Sequence, residues 1–404
     1  MKHNSKVNIA IFLTFIFGVG IFNLSFFQSD KISSLEQRAL TQKPVLTLTR
    51  LFKGEFTREF DNYFADHFVF RNTLVKVGSR LMNLKGLPGS NEATLVRKGG
   101  DNTSKNNTSS AAQYLILNGQ SYTMFQYSPG AAEAYAKALN RYKQAVGSKV
   151  RVYSLLAPTS AEFIGNDKYK SMTDSQKKAF AHINELLDPE IVQINAYDAL
   201  AQHSKEYVYF RTDHHWTALG AYYAYTKTME AMGQQATPLS RYEKGNIEQF
   251  LGSAYKATLN YKLKANPDTI TYYKPFVNYS FTRYLSNGKM VEQSKVVSPD
   301  YAKPSIGLYS AFLGGDFPLG EISTGNKNGK KMMVVKDSYG NALIPFLLPH
   351  FEKIYIVDPR FYKESLTDFV KKQGITDILF LNNSTVARTT GIADLLNQLM
   401  GNKK

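Results

Sequence analysis

Cysteine is absent from the 404 residues. Thiol nucleophiles, thiolate metal sites and disulfides are therefore excluded together, while the compartment is left open. No Gly-rich phosphate loop of the GxGxxG or Walker type occurs, so no nucleotide cofactor is expected. Acidic residues are outnumbered, with 33 Asp and Glu against 49 Lys and Arg, which leaves a formal charge of +16. That excess suits an acidic polymer, a nucleic acid or an anionic membrane surface, and charge alone does not choose among them. No internal repeat is visible.

The N-terminus makes the choice. Val7 to Ser29 carries no charge, and about 20 apolar residues suffice to cross a bilayer as a helix. Lys2 and Lys6 precede the run, which places the first residues inside and the remainder outside. The Asn23–Ser29 end carries large phenylalanines where a cleavage site expects small residues, which favours an anchor over a cleaved signal. Residues 1–29 therefore read as an uncleaved, single-pass signal anchor in the cell membrane, with the body of the chain extracellular. Nucleic acid is then a poor partner.

Residues 30–111 read as a juxtamembrane helical segment ending in a polar loop. "FDNYFADHFVFRNTLVKVGSRLMNLKG" is amphipathic, and its Asp66–His67 pair invites a catalytic reading. Aromatic neighbours, and Arg71 within reach of Asp66, favour a packing role instead. "ATLVRKGG" and "QYLILNGQSY" read as strands, and the polar stretch Asp101–Ala111 between them as a mobile loop. From Pro129 onward, helices and buried strands alternate, which predicts a mainly parallel sheet with helices on both faces. "YVYFRTD" reads as a strand ending at "DHHW". Residues 234–329 read as a β-rich excursion containing a hairpin at "YLSNGKMV". The expected class is α/β, with residues 112–404 as one domain.

Ligands of parallel sheets bind beyond the carboxyl ends of the strands. Polar clusters fall at such ends: Asp213–Trp216, Lys336–Asn341, Asp358–Arg360, and Asn382 with Asn383. An Asp beside a His can fix the imidazole tautomer and stabilise its charged form. If the chain stays extended, Asp213 and His215 share a face and His214 points the opposite way. Two other readings remain open for this motif alone. One is a metal site of Asp213 with both histidines; the other makes Asp213 or Thr217 a helix cap and Trp216 a core residue. In "MMVVKDSYGNAL" a buried strand runs into a turn and a helix. Ser338 then stands at the sheet edge among the backbone amides of a helix start, which are ready donors to an oxyanion. Ser338 with the distant Asp-x-His completes a set of nucleophile, base and orienting acid.

"DHHW" followed by "KDSYGN" resembles the DHHW proteins, relatives of the alginate O-acetyltransferase proteins in the SGNH hydrolase-like superfamily. "EQRAL", "DHFVFR", "TDHHWT", "KDSYGNALIPFL" and "DPRFY" occur in the family's order. The resemblance implies an SGNH hydrolase-like sheet with a triad of Ser338, His215 and Asp213. It also implies O-acetylation of an exported or cell-wall polysaccharide, acidic or neutral, with a membrane-bound O-acyltransferase as acetyl donor. Tyr339, Arg360 and Asn382 are the oxyanion or substrate-binding candidates, and no metal or cofactor is expected. The glycine that precedes Asp-Ser in classical members is missing from "KDSY". A carbohydrate O-acetyl esterase with the same triad, and a non-catalytic glycan-binding assembly component, are the competing readings.

Overall fold

The computed structural model describes residues 2–25, 32–33, 38–84, 93–97, 113–285, 288–304 and 306–401. The loop expected to be mobile at Asp101–Ala111 lies outside them. The chain divides into two compact units: Met1–Ser90 with Pro304–Gly307, and Asn91–Lys303 with Leu308–Lys404.

Among the described residues the first unit holds three long helices and the short helix Leu48–Phe52. Helix α1, Lys2–Ser25, is long and apolar enough to cross a membrane, its most apolar window being Lys6–Asn23. Helices α2 (Glu55–His67) and α3 (Arg71–Leu84) follow. The Asp66 carboxylate accepts from Thr41 N and Thr41 Oγ1, each at 2.8 Å, and sits 3.6 Å from Arg71. These bonds give Asp66 a structural task, in line with the packing role.

The second unit is built on an eight-stranded sheet. Three strands come first and form a small antiparallel sheet of their own: β1 (Ala93–Arg97), β2 (Gln113–Leu117) and β3 (Gln120–Thr123). Strands β4 (Arg151–Ala157) and β5 (Ile191–Ile194) enter the main sheet, whereas β6 (Glu243–Phe250) and β7 (Asp268–Lys274) pair only with each other. Then come β8 (Tyr279–Tyr284), β9 (Met290–Gln293), β10 (Leu319–Thr324), β11 (Lys331–Lys336), β12 (Lys353–Val357) and β13 (Asp377–Asn383). The order across the sheet is β9-β8-β10-β12-β11-β13-β4-β5. The five strands from β12 to β5 run parallel, and β8 to β10 extend the sheet antiparallel from β12. The excursion is thus half absorbed: β6–β7 stands apart, and the later strands, with the expected β8–β9 hairpin, widen the main sheet.

Helices cover both faces. Helices α4 (Pro129–Val146) and α5 (Gln176–Leu186) precede α6 (Ala218–Ala231) and α7 (Gly340–Leu347), and α8 (Leu366–Gln373) and α9 (Gly391–Gln398) close the chain. In β11, Met332 and Val334 join one core with α6 and α7, and Met333 and Val335 join the other with α4, α5, α8 and α9. Successive side chains on a strand point to opposite faces, so a strand buried on both reads as a continuous apolar run. From β4 the chain moves outward to β5, and from β11 it moves the other way to β12. The strand order reverses between them, and the carboxyl ends there open the crevice such sheets use for ligands.

Candidate active site

Ser338 stands two residues beyond β11, in the turn that starts α7. The turn is tied to the next strand, because Asp337 N donates to Leu381 O at 3.2 Å and Asn383 N donates to the Asp337 carboxylate at 2.7 Å. Burial lifts the Asp337 carboxyl above its usual range, against the backbone N–H groups of Asn383 and Tyr339 that it accepts.

The "DHHW" segment arrives differently. The expected strand at "YVYFRTD" is only an isolated bridge between Tyr209 and Trp216, and residues 211–215 form bends. Side chains hold this loop instead. Asp268, 1% exposed, accepts from Arg211 N at 2.9 Å, Thr212 N at 2.7 Å, Thr212 Oγ1 at 2.5 Å and the Tyr207 hydroxyl. Thr212 Oγ1 in turn accepts from Gly252 N at 3.0 Å, and Thr212 O accepts from Tyr255 N at 3.0 Å. Trp216 is fully buried and donates from Nε1 to Tyr339 O at 2.9 Å. Thr217 caps α6, accepting from Gly220 N at 3.3 Å. The cap and core reading therefore holds for Thr217 and Trp216 without displacing the chemistry of their neighbours.

The two segments meet at His215. Its Nε2 lies 2.6 Å from Ser338 Oγ, and its Nδ1 lies 2.5 Å from Asp213 Oδ1. Asp213 Oδ1 also accepts from His215 N at 2.9 Å, and Oδ2 accepts from Ser253 N at 2.7 Å. Burial works against the ionised form of Asp213. The charges of His215 and His214 and these hydrogen bonds outweigh it, and they hold the carboxyl well below the usual carboxylate range. A carboxylate on Nδ1 places the ring proton there and leaves Nε2 free to take one. Tyr309 stacks on the His215 ring at 4.0 Å between centroids and 8° between planes. Its hydroxyl reaches Ser338 O at 3.3 Å.

His214 corrects an expectation. The two imidazoles do not point to opposite sides; their centroids are 3.9 Å apart. The alternation argument assumed an extended chain, and the chain here is bent. Nδ1 of His214 lies 2.6 Å from Ser253 Oγ, and its backbone oxygen accepts from the Tyr339 hydroxyl. Burial first, and the neighbouring charge of His215 second, push its pKa down to about 4. Ligand atoms of Asp213, His214 and His215 lie within 4.8 Å of one another, the one such cluster among the described residues. Zinc bonded at about 2 Å to each ligand needs neighbouring ligand atoms more than about 3 Å apart. The 2.5 Å contact between Asp213 Oδ1 and His215 Nδ1 is that of a hydrogen bond instead.

The three oxyanion candidates are each engaged with other partners. Tyr339 is fully buried, and its backbone N–H donates to Asp337 Oδ1 at 2.9 Å. Gly340 N is also spent, on Asp337 O at 3.1 Å, so these amides of the helix start are used inside the turn. Arg360 forks onto Asp358 at 2.6 and 2.8 Å and reaches Asp316 at 2.8 Å. Burial opposes its charge, but Asp358 and Asp316 raise its pKa above the ordinary arginine value. Asp316 and Asp358 also clamp the fully buried Lys336, at 2.9 and 3.3 Å, so the cluster balances its own charge. Asn382 accepts from the Tyr135 hydroxyl of α4 at 2.9 Å. Its side chain thus faces the α4 side of the sheet, whereas Tyr339 and Trp216 pack in the opposite core.

Sequence reading missed Asp268, Ser253 and Tyr309. None belongs to a local motif, and each acts through a contact made across more than 35 residues of chain.

The family model described as DHHW protein matches residues 90–357. Among solved structures, the chain is similar to a DHHW family protein from Eubacterium siraeum. The two are 34% identical with a TM-score of 0.66, over 72% of this chain and 96% of that one. Bacillus cereus PatB1 is similar in fold at 20% identity and a TM-score of 0.58, over 73% of this chain and 98% of that one. A second PatB1 structure, described with a sulfonyl adduct, aligns at 20% identity and a TM-score of 0.59, over 68% and 96%. No curated protein matches the chain. The family model and the E. siraeum structure together place this chain in the DHHW family.

Proposed function

We propose that this protein is an extracytoplasmic O-acetyltransferase acting on an exported or cell-wall polysaccharide through an acyl-serine intermediate. The observation that carries the reading is His215 set between Asp213 and Ser338, at 2.5 and 2.6 Å. Membership of the DHHW family supports it, because the resemblance of the motifs implies O-acetylation of a glycan. In this reading, residues 1–29 anchor the chain as a single membrane pass and residues 30–111 form the juxtamembrane region. Residues 112–404, with β1 paired onto them, carry the catalysis outside the membrane. A membrane-bound O-acyltransferase delivers the acetyl group, and the acceptor is an acidic or neutral glycan.

Two steps follow. His215 Nε2 takes the Ser338 hydroxyl proton while Oγ attacks the acetyl carbonyl carbon. The bond from that carbon to the donor's leaving atom breaks, and the leaving atom takes the proton from Nε2. The acetyl-serine is then attacked by a glycan hydroxyl, whose proton passes to Nε2 and on to the departing Ser338 Oγ. Asp213 holds the imidazole in the tautomer that both steps need and stabilises its transient charge. Incubation with 4-nitrophenyl acetate followed by peptide mass spectrometry tests the reading. An acetyl group on Ser338 that is released faster by added glycan than by water is the expected result. Release to water alone points to an esterase, and an unmodified Ser338 overturns the triad.

A further inference from the structure

The first unit presents a surface that the catalytic reading does not use. Helix α2 turns into α3 at Phe68–Phe70, and this corner packs against α1. Asn23, fully buried on α1, accepts from Val69 N at 2.7 Å, and the Phe22 and Phe70 rings lie 5.8 Å apart. A groove of about 700 Å³ separates the two walls, with Phe15, Gly18 and Phe22 on one and Phe68, Phe70 and Leu74 on the other. On α1 it extends as far as Thr14. From Thr14 to Asn23 is roughly 14 Å of helix at about 1.5 Å per residue. If α1 crosses a bilayer, that stretch lies in the hydrocarbon of the outer leaflet, about 15 Å deep. The opposite wall lies at the same depth.

Three further observations agree. Phe70 holds a left-handed backbone at φ +58° although it is not glycine, and its side chain is 58% exposed. A left-handed phenylalanine costs energy that glycine would not. The strain is therefore retained along with an aromatic ring directed outward. Leu74, Val77 and Leu81 of α3 are each exposed and fall on one helical stripe, at spacings of three and four. Basic residues outnumber acidic ones in 41–84, seven against four, which suits anionic headgroups at the rim.

We propose that the α2–α3 corner dips into the outer leaflet beside α1, with lipid acyl chains filling the groove. The inference rests on the reading of α1 as a membrane span. The natural absence of cysteine makes single spin labels straightforward. Full-length protein carrying Phe70→Cys, Leu74→Cys or Leu81→Cys is placed in nanodiscs of phosphatidylcholine and phosphatidylglycerol. Phe17→Cys reports on α1, and Lys372→Cys on α8 of the second unit is the water-exposed reference. Accessibility to oxygen and to a soluble nickel chelate is read at each. The expected result is a several-fold loss of nickel accessibility at Phe70 and Leu74 relative to Lys372, with high oxygen accessibility and a smaller loss at Leu81. Nickel accessibility equal to the reference at Phe70 and Leu74, with Phe17 immersed, overturns the inference alone. Exposure of Phe17 as well brings down the membrane span with it. Exclusion of both probes from the corner means that protein covers it, which also overturns the proposal. Should Leu74→Cys fail to fold, Val77→Cys reports on the same stripe.

Discussion

Ser338 and the pair Asp213–His215 reach the same point by different means. Ser338 sits in the tight turn between a central strand, hydrogen-bonded on both sides to β12 and to β13, and the helix α7. Its position is a consequence of regular structure. Asp213 and His215 lie in a bent loop whose conformation is dictated by Asp268, Gly252 and Ser253, through bonds that span 40 to 57 residues of chain. One arm of the site inherits its precision from a sheet with many redundant bonds. The other concentrates it in a few buried polar contacts, each of which is expensive to lose.

The largest effect tests whether the arms act together. Ser338→Ala and His215→Ala should each remove nearly all acetyl transfer, and the double variant should lose little more, because triad members function as a unit. Additive losses would mean that the arms contribute independently. Asp213→Asn should be comparable or milder, since it disturbs the tautomer without removing the base.

The contrast itself is tested by removing one carboxylate from each arm. Asp268→Ala leaves two backbone N–H groups and a tyrosine hydroxyl without their acceptor inside the protein, and the Thr212 hydroxyl with only Phe250 O at 3.2 Å. Breaking such a buried charged network costs about 3–5 kcal/mol. Asp337→Ala removes the acceptor of two N–H groups, but β11 and β13 still fix the turn, and about 1–3 kcal/mol is expected. Urea denaturation should rank the two in that order, and the reverse order would refute the contrast. Gly252→Ala provides a sharper probe of the loop arm. A Cβ there would collide with the Asp213 side chain, which His215 and Ser253 hold in place. Acetyl transfer should fall at least tenfold while the fold, followed by circular dichroism, persists.

The same contrast explains what was legible beforehand. "MMVVKDSYGNAL" shows its strand, turn and helix in local pattern, and the structure supplies β11, the turn and α7. The parallel sheet was legible for the same reason, from the alternation of apolar strands with amphipathic helices. The motif "DHHW" was legible as a composition but not as a conformation. Its backbone depends on Asp268, a residue in an unremarkable "NPDT" that no local rule connects with Arg211 or Thr212. The orientation of His214 was misread for that reason. The fate of the amides around Ser338 was equally hidden, since the Asp337 side chain turns back to take one of them.

His214 offers a stability test with a definite sign. Its pKa falls from an ordinary 6.5 to about 4 in the folded protein, through burial and the charge of His215. Between these values the unfolded chain binds a proton that the folded chain refuses, so stability drops as pH falls from about 6.5 to 4. His214→Gln should flatten that part of the profile in urea melts taken across the range. An unchanged slope would show that another group carries it, His350 foremost, whose pKa burial and the charge of Lys330 likewise lower to about 4; the depressed pKa of Asp213 removes stability only at still lower pH.

The smallest expected effect concerns Tyr309, which touches both arms at once: its ring lies on His215 and its hydroxyl reaches Ser338 O. A stacked aromatic pair contributes about 0.5–1.5 kcal/mol beyond its buried area, so losing it should cost roughly two- to tenfold in rate. Tyr309→Leu removes the stack and the hydrogen bond, and kcat should fall within that range. Tyr309→Phe keeps the stack and gives up only a 3.3 Å hydrogen bond, and it should stay near the parent rate. If the two variants fall equally, the hydroxyl steadies Ser338 and the stack is incidental. If neither falls, Asp213 alone orients His215, and the loop arm needs no support from the segment that carries Tyr309.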